Sequence, residues 1–499
     1  MFDENHLIHR LSRHAAMTPG RVFARREGQP DVTLQEMFDR AQAIAGTLQA
    51  AGVAPGDRVA VQVDKSLEAV QLYLGVVLAG GVFLPLNTAY TVAELDYFLG
   101  DATPAVVICD PAKRAGIEPI ARGARVFDLA ADGSGTLMQA VAEGPAYTPV
   151  DRGPDDLAAI LYTSGTTGRS KGAMLSHRNL LSNSEMLRDY WRFSERDVLI
   201  HALPIFHTHG LFVATNVALL AGAEVNFMPG FDPDAIIRAM PSATAMMGVP
   251  TFYTRLLKHP GLTAETAAHM RLFISGSAPL LAETHREWER VTGHRILERY
   301  GMTETNMNTS NPYEGERRAG TVGFPLPGVE LRVMLDGNEV EQGQIGVIEV
   351  RGDNVFKGYW QMPEKTAEEL REDGWFITGD LGMIDPEGYV VIVGRAKDLI
   401  ISGGFNVYPK EVEEEIDALP GVVESAVIGV PHPDFGEGVV AVVVGDASVT
   451  EDRVKAALAD RLAKFKQPKR VFVVDDLPRN TMGKVQKKAL RDAHAGLFD

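Results

Sequence analysis

The sequence is poor in cysteine and in positive charge. Cys109 is the single cysteine among 499 residues, which excludes internal disulfides and a zinc site built on cysteines. The formal net charge is −17, which argues against non-specific binding of nucleic acid or of an anionic membrane. Any anionic substrate would therefore need a local cluster of cations. The lack of disulfides predicts a reducing, cytoplasmic location.

Long apolar runs are also scarce. The N-terminal segment has no apolar core of the kind found in secretory signals, so none is predicted. The one membrane-like run, residues 69–86, is interrupted by Gln71, a Gly80-Gly81 pair and Pro85. It is typical of a buried helix that leads into a strand. With 45% hydrophobic and 23% charged residues, the composition predicts a globular protein with neither membrane nor nucleic acid as a partner.

The pattern of apolar segments predicts an α/β fold. From residue 30 to about 325, short apolar strands alternate with amphipathic helices, which favours helix-covered parallel sheets. Closely spaced, Gly-punctuated strands then predict a β-barrel-like unit at about 324–395. We therefore expect a large N-terminal domain, 1–395, and a small mobile α+β C-terminal domain, 396–499, with a hinge near Lys397.

The segment 156–172, DLAAILYTSGTTGRSKG, contains the most distinctive loop. An apolar strand, 157–161, is followed by glycines, hydroxyl side chains, Arg169 and Lys171. These residue types suit a loop that wraps a polyphosphate with amide N–H groups and cations. Gly172 after Lys171 excludes a Walker A loop. A G-x-S-x-G match at 168–172 leaves a serine hydrolase with Ser170 as nucleophile as a rival interpretation.

Four further motifs follow this loop in a fixed order: YGMTE (300–304), TGD (378–380), GRAKD (394–398) and PRNTMGK (478–484). This ordered set resembles the adenylate-forming superfamily of acyl-CoA synthetases, luciferases and peptide-synthetase adenylation domains, over nearly the whole chain. The resemblance implies an acid–thiol ligase that uses ATP, Mg²⁺ and coenzyme A. A carboxylate would first attack the α-phosphate of ATP, and the acyl-adenylate would then react with the CoA thiol.

The resemblance also implies roles for individual residues. Thr303 would contact the α-phosphate, and Glu304 would hold Mg²⁺. Asp380 and Arg395 would bind the ribose. The positions implied for ATP binding are Thr163, Ser164, Gly165, Thr166, Thr167, Lys171, Gly276, Ser277, Ala278, Glu298, Tyr300, Gly301, Thr303, Asp380 and Arg395.

Further positions concern the catalytic steps. The resemblance implies that Lys484 bridges the carboxylate and the α-phosphate during adenylation, with His207 near the reacting carboxyl. Lys397 matches the hinge of the small domain, whose rotation would present Ser402, Gly403 and Gly404 to the CoA thiol. Because Lys484 must be a free cation, acetylation there by a lysine acetyltransferase, reversed by a deacetylase, would block adenylation.

Arg255, Arg299 and Ser277 suggest which acid is activated. Two arginines at an acyl pocket suit a second carboxylate, since an unpaired buried cation is costly and arginine grips carboxylates bidentately. The sequence segments SGSAPL, ERYGMTETNMNTS and GGFNVYPKE are similar to those of the malonyl-CoA synthetases in particular. That likeness implies that the arginines and the serine bind the distal carboxylate of malonate, with methylmalonate also accepted.

Several alternatives stay open at this point. Arg255 would face solvent, and Arg299 would pair with Glu298 or Glu304, if neither served a substrate. A separate alternative within the superfamily is a synthetase for another short acid, such as oxalate, acetate or a small aryl acid. A non-catalytic nucleotide-binding protein is a further alternative, which the acidic and basic residues at 304, 380 and 484 disfavour. A ligase for a carrier protein is disfavoured because no carrier domain follows in the sequence.

Overall fold

The computed structural model of the protein describes residues 2–163, 170–403, 405–459, 461–480 and 483–498. The chain forms two compact units. The first consists of Met1–Ala319, Pro325–Glu330 and Arg351–Gly374. The second consists of Gly320–Phe324, Leu331–Val350 and Trp375–Asp499. The candidate site residues named above are therefore divided between the two units.

The first unit begins with alternating helices and strands. In chain order these are α1 (His6–Leu11), α2 (Arg13–Met17), β1 (Val22–Arg25), β2 (Val32–Thr33), α3 (Leu34–Ala50), β3 (Arg58–Gln62), α4 (Leu67–Leu78), β4 (Val82–Pro85), α5 (Val92–Ala102), β5 (Val106–Cys109), α6 (Arg114–Ile117), β6 (Arg125–Asp128), α7 (Thr136–Glu143) and β7 (Leu157–Thr163). The strand order β6-β5-β3-β4-β7 is parallel throughout. Strands buried on both faces explain the near-continuous apolar runs.

A second sheet of the first unit carries most of the candidate site. The elements are β8 (Lys171–Ser176), α8 (His177–Tyr190), β9 (Val198–His201), a π-helix (His209–Thr215), α9 (Asn216–Ala221), β10 (Glu224–Phe227), α10 (Pro233–Ala239), β11 (Ala245–Gly248), α11 (Pro250–Leu257), β12 (Leu272–Ser275), α12 (Ala282–Thr292), β13 (Leu297–Met302) and β14 (Asn306–Ser310). Their order is β14-β13-β12-β11-β9-β10-β1-β2, parallel from β13 to β1. Strand β8 instead pairs antiparallel with β7.

Local sequence explains where these helices begin and how the membrane-like run folds. Thr33 with Glu36, and Thr91 with Glu94, form capping boxes at the starts of α3 and α5. The apolar run predicted to be a buried helix leading into a strand is α4 followed by β4, both buried. None of the described helices is long and apolar enough to cross a membrane.

The second unit contains an antiparallel sheet, as the clustered strands predicted. Following β15 (Phe324–Pro325), the elements are β16 (Glu330–Leu335), β17 (Asn338–Glu339), β18 (Gly346–Arg351), α13 (Pro363–Glu369, in the first unit), β19 (Phe376–Ile384) and β20 (Val390–Arg395). The strand order is β17-β16-β18-β19-β20. Asp380 on β19 pairs directly with Arg395 on β20 in the strand register.

The C-terminal part of the second unit has a sheet with an apolar core on each face. Its elements are β21 (Ile400–Ser402), β22 (Phe405–Val407), α14 (Pro409–Asp417), β23 (Val422–His432), β24 (Gly436–Gly445), α15 (Glu451–Leu458), β25 (Arg470–Val474) and α16 (Lys487–Ala493). Along β24, Val439, Ala441 and Val443 enter one cluster. Val440 and Val442 enter the other. This period of two is that of a central strand covered on both sides.

The α/β class, with large N-terminal sheets and a small C-terminal α+β domain, is thus confirmed. The boundary between residues 395 and 396 stays a prediction, because contacts place 375–499 in one unit. Lys397 lies in a short 3-10 turn, Ala396–Asp398, that directly follows β20. The proposed hinge is therefore located at the end of a strand.

Asp417, at the end of α14, makes stability depend on pH. Its Oδ1 atom is buried with no hydrogen-bond partner among the described residues, and burial raises the pKa of Asp417 to about 8. An unfolded aspartate ionises near pH 3.9. Between these values the folded state holds one more proton than the unfolded state, so this contribution to stability falls as the pH rises through that window.

We expect Asp417→Asn, which cannot ionise, to gain in unfolding temperature relative to the parent protein as the pH rises from 5 to 8. Thermal denaturation across this range measures the difference. Asp434→Asn, at an exposed position, is the matched control for the loss of one aspartate. A difference between Asp417→Asn and the parent that stays constant with pH would contradict this account.

Candidate active site

Arg299 is the most unusual side chain of the first unit. It lies on β13, is 3% exposed, and has no hydrogen-bond partner at Nε or Nη2 among the described residues. Burial lowers the pKa of Arg299 to about 9, so the guanidinium still carries its charge at neutral pH. No pairing of Arg299 with Glu298 or Glu304 is found in the described part of the chain. Glu298 accepts from the Leu280 backbone N–H at 3.1 Å, and Glu304 lies 3.1 Å from the Tyr359 hydroxyl. Burial of a cation without a partner is costly, and a bound anion would compensate its charge.

The space for this guanidinium is made by Gly276, which directly follows β12. A Cβ atom on Gly276 would lie 2.4 Å from Cζ of Arg299 and 2.5 Å from its Nε. Ser277 comes next and has a left-handed backbone, with φ of 72°. Residues at the carboxyl ends of parallel strands meet at one edge of the sheet, which is where α/β proteins bind ligands.

His209 joins this group and was not predicted from the sequence. It is 1% exposed, and its Nδ1 lies 3.3 Å from Oγ of Ser277. Burial, followed by the charge of Arg299, holds the pKa of His209 well below its usual range, so the ring is neutral. The second histidine of the PIFHTHG motif could have indicated this residue, but the sequence interpretation considered only His207. His207 is half-buried and its Nδ1 accepts from the His209 backbone N–H at 3.4 Å.

His209 opens the π-helix His209–Thr215, a rare element that recurs at functional sites. A buried network holds its first turn. Nε2 of His201 lies 2.9 Å from the Gly210 carbonyl, and the Thr215 hydroxyl donates to the same carbonyl at 3.0 Å. Lys65 donates to the His201 carbonyl at 2.7 Å and lies 3.1 Å from Nδ1 of His201. The helix that carries His209 is therefore fixed by several polar contacts.

A second cluster of the first unit surrounds Tyr359. The tyrosine hydroxyl lies 3.1 Å from Oε1 of Glu304 and 2.6 Å from Oε2 of Glu369. Lys171 binds Glu369 at 3.1 Å, and its ammonium lies 4.0 Å from the centroid of the Tyr359 ring. Burial and the Glu304 charge hold the pKa of Tyr359 far above its ordinary value, so the hydroxyl keeps its proton. Lys171, predicted to bind ATP, and Glu304, predicted to hold Mg²⁺, both contact a tyrosine that the sequence interpretation missed.

The remaining predicted positions of the first unit are placed as follows. Thr163 ends β7, and its hydroxyl donates to the Lys171 carbonyl at 3.4 Å. Tyr300 and Gly301 lie on β13, Thr303 is half-buried beyond it, and Ala278 follows Ser277. Arg255 is exposed on α11 with its guanidinium stacked on Phe231 at 4.4 Å. Its role at the acyl pocket stays a prediction. The predicted residues Ser164, Gly165, Thr166, Thr167 and Gly404 lie outside the described residues.

The second unit holds the other predicted positions. Asp380 is 4% exposed, and its carboxylate pairs with Nε of Arg395 at 2.7 Å. Lys484 is exposed, and its backbone N–H donates to Oδ1 of Asn480 at 2.9 Å. Ser402 is buried on β21, and Gly403 follows with a left-handed φ of 60°.

Family models match most of the chain. The model of the AMP-binding enzyme matches residues 11–360, and that of the AMP-binding enzyme C-terminal domain matches residues 411–484. The chain belongs to the AMP-binding enzymes, the adenylate-forming superfamily. The family expected from the ordered motifs is therefore confirmed.

Individual relatives cover nearly the full length. A malonate–CoA ligase of Arabidopsis thaliana is 36% identical over 88% of this chain and 78% of its own. A feruloyl-CoA synthase of an Amycolatopsis species is 37% identical over 96% of this chain and 97% of its own. The crystal structure of ATP-bound MatB from Rhodopseudomonas palustris is 61% identical, with a TM-score of 0.97 over 99% of this chain and 100% of that chain.

The tight fit of Arg299 over Gly276 can be tested by one methyl group. We expect Gly276→Ala to displace the guanidinium and to lower the free energy of unfolding by about 1–3 kcal/mol, the usual range for overpacking. Denaturant unfolding measures the loss, and a crystal structure shows the displacement. Gly230→Ala is the matched control, since nothing lies within 4 Å of its added Cβ. Equal stability of the two variants, with Arg299 unmoved, would contradict the close approach.

Proposed function

We propose that this chain is a malonyl-CoA synthetase. It joins malonate to AMP with release of pyrophosphate, and then transfers the malonyl group to the thiol of coenzyme A with release of AMP. The observation that carries the proposal is the buried, unpartnered guanidinium of Arg299. The likeness to MatB and to a malonate–CoA ligase supports it.

The physical reason for a diacid is the cost of burying Arg299 alone. Taking a lone charge out of water costs several kcal/mol, which a second carboxylate at the guanidinium would repay. Nε and Nη2 provide two donors in a planar fork, the arrangement that matches a carboxylate. An acid with an apolar tail would leave this charge uncompensated. Methylmalonate keeps the distal carboxylate, and we propose that it is also accepted.

The cluster around Tyr359 suits the phosphates of ATP. Lys171 and Thr163, with the loop that follows, would hold the β- and γ-phosphates, where Lys171 would exchange Glu369 for phosphate oxygens. Among the described residues, no group of three or more His, Cys, Asp or Glu side chains could hold a metal ion. Mg²⁺ would therefore be bound by Glu304 together with phosphate oxygens, the donor set this ion commonly takes. Its charge would lower the barrier to attack on the α-phosphate.

The second unit would supply the ribose and catalytic contacts. Asp380 accepts hydrogen bonds as a buried carboxylate held by Arg395, which suits the ribose hydroxyls. Lys484 would neutralise charge as the malonate carboxylate attacks the α-phosphate. Within the first unit, Thr303 would contact the α-phosphate and His207 would lie near the reacting carboxyl. Lys397 would serve as the hinge, and the segment at Ser402 and Gly403 would receive the CoA thiol.

Two further proposals concern the setting of the enzyme. Lys484 is an exposed residue, and we propose that an acetyltransferase and a deacetylase act on it. Acetylation would remove its charge and stop adenylation while sparing thioester formation. The cytoplasm remains the expected location, on the sequence argument from the lone Cys109, which is a buried free thiol.

Two rival functions are less well supported. The feruloyl-CoA synthase relative suggests an aryl acid, but the charge of Arg299 has no partner in such a substrate. A serine hydrolase at Ser170 needs a base beside its hydroxyl. In the described part of the chain no histidine contact with Ser170 is found, and its carbonyl accepts from the Tyr97 hydroxyl at 2.8 Å.

A panel of acids tests the proposal directly. With ATP, Mg²⁺ and CoA, pyrophosphate release should be fastest with malonate, followed by methylmalonate, and slow with acetate, oxalate and benzoate. Arg299→Met should lower kcat/KM for malonate by at least about 100-fold, because breaking a buried charge pair costs about 3 kcal/mol or more. KM for ATP should change little.

The same assay on Arg255→Met decides whether that exposed arginine takes part. Benzoate or acetate outrunning malonate would overturn the proposed function. Full malonate activity in Arg299→Met would overturn the role of Arg299 while leaving the function standing.

A further inference from the structure

We propose that His209 is a positioning residue that turns the hydroxyl proton of Ser277 toward the distal carboxylate of the diacid. The inference rests on the proposed function, since it concerns how that same pocket recognises its substrate. Its starting point is the 3.3 Å contact between Nδ1 of His209 and Oγ of Ser277, beside the unpartnered Arg299.

The direction of this hydrogen bond decides what Ser277 can offer an anion. If the serine hydroxyl donates to a bare Nδ1, its only proton is used and its lone pairs face the carboxylate, which is repulsive. If Nδ1 carries the proton and donates to Oγ, the hydroxyl proton stays available. A serine hydroxyl has one donor, and a neutral imidazole has one donor and one acceptor. Only the second arrangement lets Ser277 bind a carboxylate.

The buried Nε2 of His209 favours this second arrangement. Nε2 has no hydrogen-bond partner among the described residues. A proton on Nε2 would leave a buried donor unsatisfied, which is rarer in proteins than an under-satisfied acceptor. A doubly protonated ring would add a second uncompensated cation close to Arg299, and burial disfavours that form. The neutral ring with its proton on Nδ1 is the form that avoids both costs.

The surrounding structure holds the ring in place for this task. Gly210 follows His209 in the π-helix, and a Cβ atom there would lie 2.0 Å from the Pro204 carbonyl oxygen, so the turn admits no side chain. Nζ of Lys65 lies 3.1 Å from Nδ1 of His201, and Nε2 of His201 lies 2.9 Å from the Gly210 carbonyl. A proton on Nε2 of His201 would let the ring accept from Lys65 and donate to this carbonyl. Ser277, which carries Oγ, has a left-handed backbone with φ of 72°. Both partners are therefore presented by constrained backbone.

The pocket then offers charge and donors that match one carboxylate. Arg299 contributes a single positive charge, and the neutral His209 adds none. Ser277 adds one hydroxyl donor to the free guanidinium N–H groups. Since this hydroxyl acts on a charged acceptor, its loss should reduce kcat/KM for malonate roughly tenfold or more. His209 itself need not touch the substrate.

A double-mutant cycle on the full-length enzyme tests the inference. Ser277→Ala and His209→Leu should each lower kcat/KM for malonate roughly tenfold, with KM for ATP unchanged in His209→Leu. The double variant should be no worse than Ser277→Ala alone. His209→Asn, whose amide N–H can occupy the place of Nδ1–H, should restore most of the activity. His285→Leu removes another buried histidine, on α12, and is the matched control expected to keep parent activity.

Nitrogen NMR of the parent protein labelled at histidine supplies a readout that needs no variant. We expect the signature of a neutral ring protonated at Nδ1 for His209. A proton on Nε2 or full activity of His209→Leu would overturn the inference. An equal loss of kcat/KM from His209→Leu in the parent enzyme and in the Ser277→Ala variant would also overturn it. Failure of the parent enzyme to favour malonate in the acid panel would instead overturn the proposed function, and is thereby distinguished.

Discussion

The uncompensated charge of Arg299 is the constraint on which the candidate pocket depends. Its guanidinium is enclosed above Gly276, where no larger residue fits, and two of its nitrogens have no partner among the described residues. Such a group destabilises the folded protein unless an anion compensates its charge. A protein with a net charge of −17 also repels anions at long range, so recognition of a diacid has to come from a local cation of this kind.

The clusters at Arg299 and at Tyr359 in the first unit differ in how their charges are compensated. At Arg299 the positive charge is buried, and its Nε and Nη2 atoms have no partner among the described residues, which favours binding of an anion. At Tyr359 the charges already balance, since Lys171 contacts Glu369 and the tyrosine hydroxyl lies between Glu369 and Glu304. Under the proposed function, binding of phosphates there would require Lys171 to exchange Glu369 for phosphate oxygens. The first arrangement suits selection of the acid, and the second suits a leaving group that must also be released.

The sequence predicted the fold well because the information was local. Apolar runs separated by helices indicated parallel sheets, and the run at 69–86 folds as α4 and β4. The order of short motifs identified the family and pointed to Arg299. Tyr359 and His209 were missed because they reach Glu304 and Ser277 through long-range contacts that no spacing reveals. For the same reason the sequence did not show that Arg255 is exposed on α11, stacked on Phe231.

The central claim is that the distal carboxylate is recognised through its charge by Arg299. Malonamate tests this most directly, because it has the size of malonate but a neutral distal amide. We expect the parent enzyme to prefer malonate by at least about 100-fold in kcat/KM, and Arg299→Met to reduce that preference to less than about tenfold. Comparable use of malonamate by the parent enzyme, or an unchanged preference in the variant, would contradict the account.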